Sequence, residues 1–322
     1  MIYISSWVSL LSFVALSLPI CSSFFALPIP LSNRTSDTNK MHLILTGATG
    51  LVGSAVLDAM IKTPDISKIS IISRRPVKMA EDAKDPRINV ILHKDFEKYD
   101  SDLLNQLEGA TGCVWALGVS QNAVGKEEYI RITKSFPLAA ATAFQSLSPS
   151  SSTSTSSPLH TQPNPSSKPF HFIYISGEGA TTTPPSSLSL PARLTTPYYA
   201  IIKGQAELAL SSLSSPTFFP ISMRPGYVDP SSHSAILPYI PKLSTFMTLA
   251  VKVLGPPIRV GYKKLWSPTE ELGKGVVEMA MGRWDGDIKR EIEDGGNGFE
   301  KLQGGGVVIG NVGWRRVAGL GL

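Results

Sequence analysis

The stretch that decides the fold is His42-Leu43-Ile44-Leu45-Thr46-Gly47-Ala48-Thr49-Gly50-Leu51-Val52-Gly53-Ser54-Ala55-Val56. It reads as a short buried strand, a tight glycine turn and a helix start. Each glycine has a physical job. Gly47 lets the chain reverse sharply out of the strand. Gly50 carries no Cβ, so a pyrophosphate can approach the backbone. Gly53 lets the new helix pack close to the strand. The first helical turn then offers unpaired N–H groups and a positive dipole end to the phosphates. Three glycines alone would be a weak pattern. The apolar strand before them and the apolar helix after them (Leu51, Val52, Val56, Leu57, Met60, Ile61) make it a specific one. Gly47, Thr49, Gly50, Leu51, Val52 and Gly53 are the candidate contacts of this turn with a dinucleotide.

Around that stretch, 322 residues are enough for one large α/β domain, and a hydrophobic content of 42% suits a globular fold. The net charge is +5, and the basic residues form no long runs, which argues against nucleic acid as the main partner. The two cysteines, Cys21 and Cys113, and the five histidines form neither a disulfide framework nor a metal-ligand cluster, so no metal is expected. Residues 1–40 form an apolar leader. Either 1–32 act as a secretory signal or membrane anchor, or Met41 is the working start and the leader is an upstream extension. The first reading implies the secretory pathway or a membrane contact, the second the cytoplasm.

Past the first helix, the pattern predicts strands at 68–73, 89–93, 112–117, 170–176, 217–223 and 307–309. Helices are predicted at 101–108, 127–147 (bent by Pro137), 198–213, 243–254 and 268–281, the last capped by Thr269 or Ser267. Ser148–Lys168 is rich in Ser, Pro and Thr and is expected to be a disordered insertion, and 181–197 a polar loop. The Rossmann domain is placed at 41–290 and a glycine-rich tail at 291–322. Arg74 and Arg75 stand where an acidic residue would bond a ribose 2′-hydroxyl. A guanidinium fork suits a 2′-phosphate instead, so NADP(H) is favoured over NAD(H). Asp95 falls near the expected adenine site. Leu117 and Gly118, at the end of the fourth strand, fall where the diphosphate and nicotinamide ribose would pass.

Tyr199 and Lys203 are four apart and so share one helix face. A free phenol, with a pKa of about 10, exchanges protons poorly at neutral pH, and a neighbouring ammonium stabilises the phenolate. Such a pair can give a proton to a carbonyl oxygen or take one from an alcohol. Ser176, at the carboxyl end of the fifth strand, lies where an open α/β sheet presents its ligands. Its hydroxyl is the candidate holder of the substrate oxygen, with Thr181 as the alternative.

On Thr46–Gly53, Tyr199-x-x-x-Lys203-Gly204-x-x-Glu207 and Arg224-Pro225-Gly226, the chain resembles an atypical or extended short-chain dehydrogenase/reductase. The branch it most resembles is the Tat-interacting-protein-like reductases and the fungal proteins called nucleoside-diphosphate-sugar epimerase-like. The likeness covers about residues 41–282. It implies a Rossmann-type doubly wound parallel sheet with helices on both faces, a small C-terminal substrate-binding part, NADP(H), and a Ser176/Tyr199/Lys203 set in which Lys203 also touches the cofactor. Two departures stand out. Gly177 and Glu178 follow Ser176 where relatives often carry a second serine, and 181–197 separates serine from tyrosine widely. The expected function is an NADP(H)-dependent oxidoreductase acting on a small carbonyl or alcohol. The alternatives are a catalytically silent NADP(H)-binding regulator and a sugar-nucleotide epimerase. A small-molecule substrate is the expected partner; monomer and homodimer are both compatible with the sequence.

Overall fold

A computed structural model describes residues 41–147, 168–187, 189–241, 259 and 261–321. The leader, the insertion expected at 148–168 (apart from Lys168) and the helix expected at 243–254 lie outside the described residues. The first strand, β1 (Met41–Thr46), is fully apolar at its centre and leads through the glycine turn into α1 (Leu51–Lys62). There follow β2 (Ile66–Ser73), α2 (Lys78–Ala83), β3 (Ile88–Leu92), α3 (Ser101–Gln106) and β4 (Gly112–Trp115). Next come α4 (Lys126–Ile130), α5 (Phe136–Phe144), β5 (Phe170–Ile175), α6 (Leu190–Thr195), α7 (Tyr198–Ser211) and β6 (Phe218–Met223). The chain closes with β7 (Tyr227–Asp229), β8 (Trp266–Pro268), α8 (Thr269–Ala280), α9 (Asp285–Glu293), β9 (Phe299–Lys301), β10 (Val307–Ile309) and α10 (Asn311–Val317).

Eight strands make one sheet in the order β3-β2-β1-β4-β5-β6-β10-β9; every pairing is parallel except that of β9 with β10. This is the doubly wound Rossmann-type sheet, with its switch point between β1 and β4, where such folds bind ligands. Strand residues alternate between two cores. Leu43, Leu45, Val114, Ile173 and Ile221 pack against α1 and α8 on one face. Ile44, Cys113, Trp115, Phe172 and Phe218 pack on the other face against Phe136, Ala140 and Phe144 of α5 and Ala206 and Leu210 of α7. Burying one such aromatic side chain contributes ~1.5–3 kcal/mol.

Several expected boundaries shift. β4 stops at Trp115, two residues early, because its ladder to β1 ends where Thr46 pairs with Trp115 and β1 turns away. Pro137 follows a change of helix type. It has no N–H for the carbonyl of Thr133, four residues back, and the backbone takes one π-helical turn at Arg131–Ser135. The hydroxyl of Tyr174 donates to that carbonyl instead, at 3.0 Å. The polar loop at 181–197 contains α6. No side chain caps α8. Ser267 donates instead to Asn311 and Thr269 pairs with His233. The glycine-rich tail is no appendage: β10 extends the sheet beyond β6, and Trp314 of α10 is fully buried. β7 and β8 form a separate parallel pair after β6, at the carboxyl edge of the sheet.

Candidate active site

The glycine turn folds as its residues require. Gly47 has φ +72°, and a Cβ there would sit 2.4 Å from the Ala116 carbonyl oxygen, so the turn lies directly on the end of β4. A Cβ on Gly53 would fall 2.0 Å from the Gly47 oxygen, so α1 springs from the turn at contact distance. The Gly50 N–H donates to the Gly47 oxygen at 2.9 Å, and Ser54 Oγ donates to the Ala48 oxygen at 3.1 Å. Gly50 stands at the N-cap of α1 in extended conformation, and no side chain caps the helix. That leaves the first-turn N–H groups to a ligand.

Several cavities flank this turn, and two of them reach Leu117 beyond the end of β4. One, of about 410 Å³, is lined by Gly47, Thr49, Arg74, Arg75, Phe96 and Leu117. Both arginines are exposed, and Arg75 Nη2 donates to Thr49 Oγ1 at 3.3 Å, tying the arginine pair to the turn. Asp95 does not form this wall. Its carboxylate accepts the backbone N–H of Glu97 at 3.2 Å and lies 3.8 Å from Lys98 Nζ. The neighbouring Phe96, buried against Trp115 and Phe136, stands at the wall in its place.

The second cavity, of about 420 Å³, runs from Gly50, Leu51 and Val52 past Leu117 and Gly118 to Ser176 and Lys203, with Thr133 of the π turn on its wall. Lys203 Nζ donates to the backbone oxygen of Ser176 at 2.5 Å. Burial brings its pKa down to about 8, against the opposing pull of Glu207. The structure therefore brings the glycine turn, Leu117, Gly118, Ser176 and Lys203 to one cleft.

Tyr199 is not among the residues that line it. Its hydroxyl is 3.5 Å from the Glu178 carbonyl, a long contact, and Gln121 Oε1 accepts its backbone N–H at 2.9 Å. The segment after β5 passes under this helix face so closely that a Cβ on Gly204 would fall 1.7 Å from the Thr181 oxygen. Ser176 differs from its expected part. Its side chain is buried, and Oγ donates to Glu207 Oε1 at 2.5 Å rather than facing the cleft. Thr181, the alternative, accepts the backbone N–H of Thr183 on Oγ1 at 3.2 Å.

The sequence reading assigned no role to Glu207, Arg224, Gln121 or Thr133. For Glu207 a signal existed, since it lies one helical turn beyond Lys203 on the same face. Gln121 and Thr133 reach the site from distant parts of the chain and carry no local pattern.

No protein-family profile matches the chain. Among solved structures, an oxidoreductase of the short-chain dehydrogenase/reductase family from Burkholderia thailandensis superposes with a TM-score of 0.50 at 10% identity, covering 87% of this chain and 94% of that one. The likeness is one of fold. Among sequence relatives, botcinic acid biosynthesis cluster B protein 16 of Botryotinia fuckeliana is 37% identical over 153 residues, 47% of this chain and 87% of the relative. Leucinostatins biosynthesis cluster protein T of Purpureocillium lilacinum is 32% identical over 254 residues, 75% of this chain and 85% of the relative. On that extent of identity, carried by a Rossmann-type sheet with the glycine turn at its switch point, the chain belongs to the family of leucinostatins biosynthesis cluster protein T.

Proposed function

We propose that the chain is an NADP(H)-dependent oxidoreductase that reduces a carbonyl or oxidises an alcohol on a small biosynthetic intermediate. The observation that carries the reading is the single cleft in which Lys203, anchored on the Ser176 carbonyl, stands across from the uncapped glycine turn. The turn fits a dinucleotide. At Gly50 the Cβ direction meets nothing within 4 Å but the Gly47 oxygen at 3.3 Å, and the first-turn N–H groups of α1 lie beside it. Gly47, Thr49, Gly50, Leu51, Val52 and Gly53 would hold the diphosphate, Arg74 and Arg75 a 2′-phosphate, and Phe96 the adenine side of the wall. When bound, the nicotinamide supplies or accepts the hydride.

The chain's own residues handle the proton. Lys203 lies one turn after Tyr199 on α7. Tyr199 gives its proton to the substrate oxygen in reduction and takes it back in oxidation. Hydrogen bonds of this kind are often long in ligand-free sites and tighten on binding, which suits the 3.5 Å contact of the Tyr199 hydroxyl. The substrate class is drawn from the two relatives, whose names are those of biosynthesis clusters.

A second reading, cofactor binding without turnover, draws on the Ser176 hydroxyl being committed to Glu207. Tyr199→Phe separates the two. For the reductase, a screen of carbonyl substrates finds NADPH oxidation that this variant lowers at least ~100-fold while NADPH affinity stays unchanged. Turnover that survives the substitution removes Tyr199 as the acid.

A further inference from the structure

Ser176 touches α7 at two points. Its backbone oxygen accepts Lys203 Nζ at 2.5 Å, and its hydroxyl donates to Glu207 Oε1 at 2.5 Å, one helical turn further on. Its own N–H is fixed on the Met223 carbonyl at 2.8 Å. Glu207 is fully buried, and Arg224 grips it with Nε on Oε1 at 2.9 Å and Nη2 on Oε2 at 2.5 Å. A bidentate pair of this kind fixes both partners in direction as well as distance.

We propose that Arg224, Glu207 and Ser176 form a buried clamp that sets the carbonyl on which the Lys203 ammonium is anchored. The Ser176 hydroxyl is then a positioning group and does not hold the substrate oxygen. The inference rests on the dinucleotide-dependent reading of the cleft, because the work of Lys203 comes from that reading.

A buried ion pair is a poor source of net stability, since desolvating both charges offsets their attraction. Placed here it does something else. The carboxylate gives the Ser176 hydroxyl one strong acceptor, which fixes the serine's rotamer. The residue is thus held at its N–H by Met223 and at its side chain by Glu207, which limits the freedom of the carbonyl it presents to Lys203. Other groups face the clamp: Glu300 and Glu178 add to the field at Arg224, and Tyr174 of β5, beside Glu207, is a phenol held neutral by burial.

The test is nuclear magnetic resonance of the lysine side chains in the full chain, with the Lys203 signal assigned by its loss in Lys203→Met, alongside an NADPH titration. In the unsubstituted protein Lys203 titrates near pH 8. In Ser176→Ala the carbonyl remains but one of the two ties to α7 is cut, and the Lys203 side chain becomes measurably more mobile. In Glu207→Gln the anion is gone and Arg224 stays positive, so the midpoint falls by about 1 unit. Should Glu207→Gln fail to fold, Ser176→Ala decides alone. A Lys203 side chain as ordered in Ser176→Ala as in the unsubstituted protein overturns the clamp. Failure of the unsubstituted protein to bind NADPH overturns the dinucleotide reading instead and leaves the two lysine readouts to decide the clamp.

Discussion

His42 shows how one buried side chain makes the fold sensitive to acid. Its ring bridges Ser70 on β2 at 2.8 Å and the Glu108 carbonyl at 3.2 Å. Burial, helped by the nearby Lys68 charge, lowers its pKa from 6.5 to about 4. The unfolded chain therefore takes up a proton near pH 6.5 that the folded chain refuses until about pH 4. The stabilisation is complete above 6.5 and is lost as the pH falls through that window, by about 3 kcal/mol in total. Denaturant unfolding between pH 7 and 4 should show a shallower loss of stability in His42→Asn than in the unsubstituted protein; equal slopes would remove His42 as the cause. At this scale the sequence was legible wherever a side chain acts through its neighbours in the chain. Gly47, Gly53 and the Tyr199–Lys203 spacing were readable for that reason. Ser176 was not, because its hydroxyl answers to a carboxylate 31 residues away. Asp95 and Phe96 are adjacent in sequence, and only packing against Trp115 and Phe136 decides which of them faces the cleft.

Among the elements, the helix that takes a π turn at Arg131–Ser135 has the most consequence for the cleft. Proline at 137 orphans the Thr133 carbonyl, the π turn follows, and Thr133 comes to the wall of the cavity that holds Lys203. Tyr174 completes the arrangement from β5, and its phenol is held well above the ordinary pKa by burial. Tyr174→Phe leaves that buried carbonyl without its donor and should cost about 1–3 kcal/mol in chemical denaturation. Tyr174→Phe combined with Pro137→Ala, which restores a backbone donor at that turn, should recover part of the loss. A cost below about 0.5 kcal/mol would mean the hydroxyl matters little to the turn. The central strands were legible because each is a short apolar run ending in Gly, Ser or Arg. The elements that escaped are short helices (α2, α6, α9, α10) or strands of three residues (β7, β8, β9), too short for a hydrophobic period to show. In the glycine-rich tail the strand expected at 307–309 forms: three apolar residues, Val307–Ile309, suffice once β6 offers an edge.

Across the whole molecule, the sheet order brings the carboxyl ends of β1, β4 and β5 together at the switch point, and both cavities open there. The order follows from connections the sequence implies, strand to helix to parallel strand, since right-handed crossovers leave few other arrangements. The wall of the Lys203 cavity beyond β6 draws on Gly226 and on Val228 of β7, which pairs with β8. There, the Asp229 carboxylate is held by Arg259 at 2.6 Å and Trp266 Nε1 at 3.0 Å, and its pKa is pulled down by Arg259, Ser231 and Trp266 in spite of burial. No spacing rule points to such a constellation. The central claim, that this cleft holds NADP(H) through the glycine turn and the arginine pair, is tested most directly by titrating the full chain with NADPH and NADH under intrinsic fluorescence, with Arg74→Ala/Arg75→Ala alongside. The expected result is binding of NADPH at least ~10-fold tighter than NADH, with the preference abolished in the double variant by loss of NADPH affinity alone. Equal affinities for the two dinucleotides, or an equal loss of both in the variant, would contradict the assignment of Arg74 and Arg75. Binding of neither would contradict the dinucleotide site itself.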